Sequence, residues 1–111
     1  MIDDDIFNNF THVFTPDQLT KIMASFLCEI PERVQHCLDA KKNQNFDRLK
    51  VEAHTLKSLA LTLGALSLSN YAKKIETASA DKNSSLIAEL LPKLVIQSQE
   101  DIKILQKKSG L

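Results

Sequence analysis

From Leu19 to Leu105 the apolar residues recur at steps of three and four, and that rhythm is broken only at short polar stretches. A period near 3.6 places such residues on one stripe of a helix, so the chain can bury them only by packing helix against helix. Leu19, Ile22, Met23, Phe26, Ile30, Val34, Cys37 and Leu38 form the first stripe. Phe46, Leu49, Ala53, Leu56, Ala60 and Leu63 form the second, and Leu68, Ala72, Ile75 and Ser79 the third. Leu91, Leu94, Val95, Ile102 and Leu105 form the fourth. With 2 glycines and 3 prolines in 111 residues, little else interrupts helix formation. The expected class is all-α: an antiparallel four-helix bundle over about residues 16–107, within one domain spanning 1–111.

The boundaries follow from capping chemistry. Thr15-Pro16-Asp17-Gln18 has the cap, the first-turn proline and the glutamine of a capping box, with Phe14 and Leu19 placed to staple it. Asn45 is a plausible cap for the second helix, and Gly64 ends it. The third helix closes at Asp81-Lys82-Asn83, and Ser84 or Ser85 opens the fourth. Pro31 and Pro92 are expected to kink their helices, or to divide them, because proline lacks the N–H that a helix interior needs. The leading segment Asp3 to Thr11, with Ile6, Phe7 and Phe10, can add a short helix across one end.

Charge and cysteine content restrict function. Fourteen basic residues balance fourteen acidic ones, so the field that nucleic acid or an anionic membrane requires is missing. Met1 to Phe10 carries three aspartates and no basic residue, unlike a signal peptide, and no apolar run approaches the roughly 20 residues of a membrane span. A cytoplasmic, monomeric protein is expected. Cys28 and Cys37 are too far apart along one helix to bridge and are read as reduced, semi-buried core residues. Together with His12 and His36 they lack zinc-ligand spacing, so no metal is expected.

His54 stands one residue beyond the Ala53 stripe position, about 100° around the helix and away from the core. Lys50 at i−4 and Lys57 at i+3 can bring two ammonium groups to the same side. An imidazole is largely neutral near pH 7 and has a nucleophilic ring nitrogen, and the lysines would stabilise a phosphoryl group placed on it. On spacing alone, however, an ordinary surface histidine with solvated lysines is the simpler reading.

The run Ala53-His54-Thr55-Leu56-Lys57-Ser58-Leu59-Ala60-Leu61-Thr62-Leu63-Gly64-Ala65 resembles the signature of the histidine-containing phosphotransfer (HPt) family, a His-x-x-Lys-Gly/Ser core with a glycine ten residues after the histidine. The resemblance continues through Leu68 and Glu76, and the helical register from Leu19 to Lys107 fits it as well. It implies that His54 accepts the phosphoryl group, that Lys57 neutralises it and that Gly64 turns the chain into the next helix. Glu76, where relatives place glutamate or glutamine, would accept a hydrogen bond from the ring Nδ1–H. Ser58 stands where glycine is commoner, and Leu59 where small residues are preferred.

The function so implied is that of a phosphorelay carrier. It would take its phosphoryl group from the receiver-domain aspartate of a hybrid sensor kinase and pass it to a response regulator. Lys50, Val51, Ser58 and Leu61, on one ridge with His54, are the expected receiver-binding surface. There is no glycine-rich phosphate loop, so no ATP-dependent kinase activity and no bound cofactor are expected; any Mg²⁺ would belong to the receiver partner. The alternatives are a receiver-docking module that is never phosphorylated and the dimerisation domain of a sensor kinase. The latter carries a His-Glu motif with a proline five residues after the histidine, whereas this chain has His54-Thr55 and Leu59.

Overall fold

The computed structural model describes residues 1–110 and contains five helices: α1 (Asp4–Thr11), α2 (Pro16–Lys42), α3 (Phe46–Thr62), α4 (Leu66–Ala80) and α5 (Ser84–Ser109). Three-residue connections join α2 through α5, so consecutive helices run antiparallel. In the resulting bundle α2 and α4 each pack against both α3 and α5, within a body of 43 × 21 × 20 Å.

Every helix start but that of α4, which follows Ala65, has a side-chain cap. At α2 the Thr15 hydroxyl accepts from the Gln18 backbone N–H at 3.2 Å while Gln18 Oε1 accepts from that of Thr15 at 3.0 Å, a complete capping box. Asn45 caps α3 through the Arg48 N–H at 3.1 Å, and Asn83 caps α5 through that of Leu86 at 3.2 Å. Ser84 is thus the first residue of α5, behind an asparagine cap. Neither proline divides its helix: α2 runs for 27 residues through Pro31 and α5 for 26 through Pro92. Both rings lie on exposed faces, so the missing N–H falls where water serves the orphaned carbonyl and the buried stripe stays continuous.

The core contains Met23, Ile30 and Cys37 of α2, Leu49, Ala53, Leu56 and Ala60 of α3, Leu68, Ala72 and Ile75 of α4, and Ile87, Leu91, Leu94 and Leu105 of α5. Val95 and Ile102 flank it and are only partly buried. Leu59 is also buried, so the apolar face of α3 is wider than its three-four stripe. The cysteines separate sharply. Cys37 is fully buried, its thiol pushed up to about 12 by burial and then by the negative charge of Glu52, whereas Cys28 is exposed and does not belong to the core.

α1 closes the end of the bundle where α3 turns into α4. The Asp3 N–H donates to the Gly64 carbonyl at 2.8 Å, and Asp4 pairs with Lys108 of α5. Asp101, wholly buried on the inner face of α5, accepts from the Met1 ammonium at 2.8 Å and from the Gln97 amide at 3.1 Å. Between α2 and α3, Glu52 of α3 receives the Arg33 guanidinium at 3.0 Å and lies 3.3 Å from His36 Nδ1, both on α2. No described helix is long and apolar enough to cross a membrane.

Candidate functional site

The exposed ridge of α3 carries Lys50, Val51, His54, Ser58 and Leu61. Two of them are large apolar side chains left in solvent, Val51 at 63% and Leu61 at 51% exposure. A shallow groove beside His54 is lined by Asp47, Lys50, Val51, Thr55 and, from α4, Glu76.

His54 reaches across to α4. Its Nδ1 lies 2.7 Å from Glu76 Oε2, while the other carboxylate oxygen, Oε1, accepts from Lys57 Nζ at 2.7 Å. A carboxylate can only accept, so Nδ1 donates a ring proton to it, and Nε2 is left outside the contact on a side chain 58% exposed. Glu76 and Lys57 are much less exposed, lying in the seam between the helices. The close approach of α3 and α4 is pinned by Ser69, whose hydroxyl donates to the Lys57 carbonyl at 3.0 Å. The only hint of Ser69 in the sequence is a polar residue between two stripe positions, Leu68 and Ala72.

This arrangement differs in one respect from the reading of spacing. Lys50 and Lys57 do not flank the imidazole as two free cations, because Lys57 leans into the α3/α4 seam and a carboxylate stands between it and His54. The reason is tertiary: α4 brings Glu76 within reach and offers the ammonium a charge-assisted hydrogen bond that the open ridge does not.

Burial alone would push the Glu76 carboxyl up, but hydrogen bonds from Lys57 and His54, and their charges, outweigh it and hold the group below the usual carboxylate range. A carboxyl depressed in the folded state contributes stability that is present above its unfolded pKa, about 4.3, and is lost as pH falls through the lower folded value. Urea unfolding of the wild type and of Glu76→Gln should therefore show a wild-type advantage at pH 7 that fades below about pH 4. An advantage that grew on acidification would contradict the contacts described.

Among the described residues no group of three or more His, Cys, Asp or Glu side chains is placed to hold a metal ion. Glu76 instead joins an imidazole and an ammonium, those of His54 and Lys57.

Comparison with known proteins agrees with this architecture. The family model for the Hpt domain matches residues 21–105. Among solved structures, histidine-containing phosphotransfer protein B (HptB) from Pseudomonas aeruginosa PAO1 superposes with a TM-score of 0.91 over 98% of this chain and 94% of that one, at 17% sequence identity. At that identity the likeness is one of fold. A search of curated proteins returned no match. With the family model matching most of its length, the chain belongs to the Hpt domain family of histidine-containing phosphotransfer domains.

Proposed function

We propose that this protein is a phosphorelay carrier in which His54 takes a phosphoryl group from a receiver-domain aspartate of a hybrid sensor kinase and passes it to a response regulator. The observation that supports this most directly is the 2.7 Å contact between His54 Nδ1 and the Glu76 carboxylate, which can only accept: it occupies Nδ1–H and leaves Nε2 of the exposed ring as the nucleophile. The Nε2 lone pair forms the N–P bond as the O–P bond of the aspartyl phosphate breaks, and that electron pair returns to the aspartate carboxylate. The ring proton stays on Nδ1, so the ring becomes cationic and the Glu76 carboxylate stabilises it. Lys57, joined to His54 through Glu76, is the ammonium that would offset the phosphoryl charge, and a receiver would supply Mg²⁺ and most of the positioning.

The receiver docks on the α3 ridge, with Val51 and Leu61 excluding water around the transfer and Lys50 and Ser58 completing the contact. Mixing the protein with a labelled, phosphorylated receiver should move label onto it, in a linkage that is acid-labile and base-stable as a phosphoramidate is. No transfer from any receiver of the source organism would overturn the reading.

On the same surface, Ser58→Trp should weaken receiver binding by steric overlap, and Leu61→Asp by loss of apolar contact, each about tenfold or more at unchanged helix content. Titration of a labelled receiver measures both. Affinity insensitive to the two substitutions would move the interface elsewhere on the bundle.

A further inference from the structure

Glu76 has two carboxylate oxygens and both are taken, one by the ring of His54 and one by the Lys57 ammonium, each at 2.7 Å. These two contacts act in opposite directions on phosphorylated His54. Holding Nδ1–H favours the positive charge that the ring gains when Nε2 is phosphorylated. Holding Lys57 withdraws the one ammonium in the seam from the phosphoryl oxygens, and the carboxylate charge itself repels them. We propose that Glu76 is a positioning residue that competes with the transferred phosphoryl group for Lys57, so that its negative charge shortens the lifetime of phosphorylated His54. This rests on the acceptor reading of His54 given above.

Geometry supports a competition over a simple sharing of the ammonium. The Glu76 and Lys57 side chains are 19% and 26% exposed, in a seam fixed by the Ser69 hydrogen bond to the Lys57 carbonyl. A phosphoryl group on Nε2 would offer the Lys57 ammonium a second anionic partner besides Glu76, which already holds it at 2.7 Å. A neutral amide at position 76 keeps an oxygen acceptor for Nδ1–H and gives up the charge that holds the ammonium. Charge and hydrogen bonding at this position can therefore be separated by one substitution.

The test uses potassium phosphoramidate, a small donor that needs no receiver: Nε2 forms the new N–P bond as the donor's N–P bond breaks and ammonia leaves. Wild type, Glu76→Gln, Lys57→Ala and the double variant are phosphorylated, freed of donor, and their hydrolysis followed by ³¹P NMR, with ¹⁵N shifts of the imidazole reporting the tautomer. In Glu76→Gln the Nδ1–H tautomer should persist and the phosphohistidine lifetime lengthen about fivefold, the scale of a partly exposed ion pair. Lys57→Ala should then shorten the lifetime several-fold more in the Glu76→Gln background than in the wild type, because only there is the ammonium uncontested.

A Lys57→Ala effect of equal size in both backgrounds, or a lifetime shortened in Glu76→Gln with the tautomer retained, overturns the competition. Loss of the tautomer in Glu76→Gln overturns it as well, since the amide would then fail to keep the acceptor. A wild-type chain that takes no label on His54 would instead overturn the acceptor reading itself, and this inference with it.

Discussion

His54→Gln is expected to abolish phosphoryl acceptance from a phosphorylated receiver while leaving the bundle folded, with stability within about 1 kcal/mol of wild type. The chemical effect is total because no other group on the ridge can replace the imidazole: Ser58 and Thr55 are neutral hydroxyls without a base, and an ammonium such as that of Lys50 has no lone pair. The structural effect is small because His54 is 58% exposed and contributes nothing to the core; its one polar partner, Glu76, keeps the Lys57 ammonium. Radiolabel transfer followed by gel separation measures the first, and circular dichroism with urea unfolding the second. Label reaching the variant at the wild-type rate would place the acceptor elsewhere. A variant that failed to fold would mean that the imidazole ties α3 to α4 far more strongly than one exposed hydrogen bond can.

Gly64→Ala should cost the fold about 2 to 4 kcal/mol, the sum of two penalties at one atom. Gly64 has φ +82°, a left-handed conformation in which an L side chain crowds its own carbonyl at about 1 to 2 kcal/mol. A Cβ there would also lie 2.6 Å from the Asp3 carbonyl oxygen. That oxygen is backbone and accepts from the Phe7 N–H at 3.0 Å, while the Asp3 N–H bonds the Gly64 carbonyl, so it cannot rotate aside and α1 would have to lift from the end of the bundle. Thermal unfolding should show a Tm lower by roughly 8 to 15 °C. Gly64→Asn separates the two causes. Asparagine tolerates the left-handed region but brings the same Cβ, so similar losses in both variants assign the larger share to the Asp3 contact, and a near-neutral Asn variant assigns it to φ. Because His54 lies ten residues away, Gly64→Ala should still accept phosphoryl groups at temperatures where it is folded.

The four bundle helices were legible in the sequence, since each is marked by a stripe of three-four spacing and all but α4, which follows Ala65, start behind a capping side chain that acts within three residues. Thr15, Asn45 and Gly64 do locally what their residue types allow, and the continuous stripes of α2 and α5 could be followed through Pro31 and Pro92. What those prolines would do was less legible. Whether a helix tolerates a proline depends on which face meets solvent, and that is settled only when neighbouring helices choose the buried side.

The position of His54 outside the core was likewise a matter of phase along one helix, readable from Ala53 and Leu56. Its partner was not readable from spacing. Glu76 is 22 residues away on the next helix, and nothing in the period of α4 distinguishes it from a solvated glutamate; only the resemblance singled it out. The tertiary packing of α3 on α4, with Ser69 drawing the two backbones together, turns a surface carboxylate into a shared acceptor for an imidazole and an ammonium. The same packing decided that Lys57 faces the seam and Lys50 the groove. It also decided that Asp101, which reads as an ordinary charged residue late in α5, is buried to nothing beside the Met1 ammonium. Sequence determines which residues share a helix face because that follows from 3.6 residues per turn, whereas the pairing of charges between helices depends on their axial offset and rotation, and only the assembled core sets those.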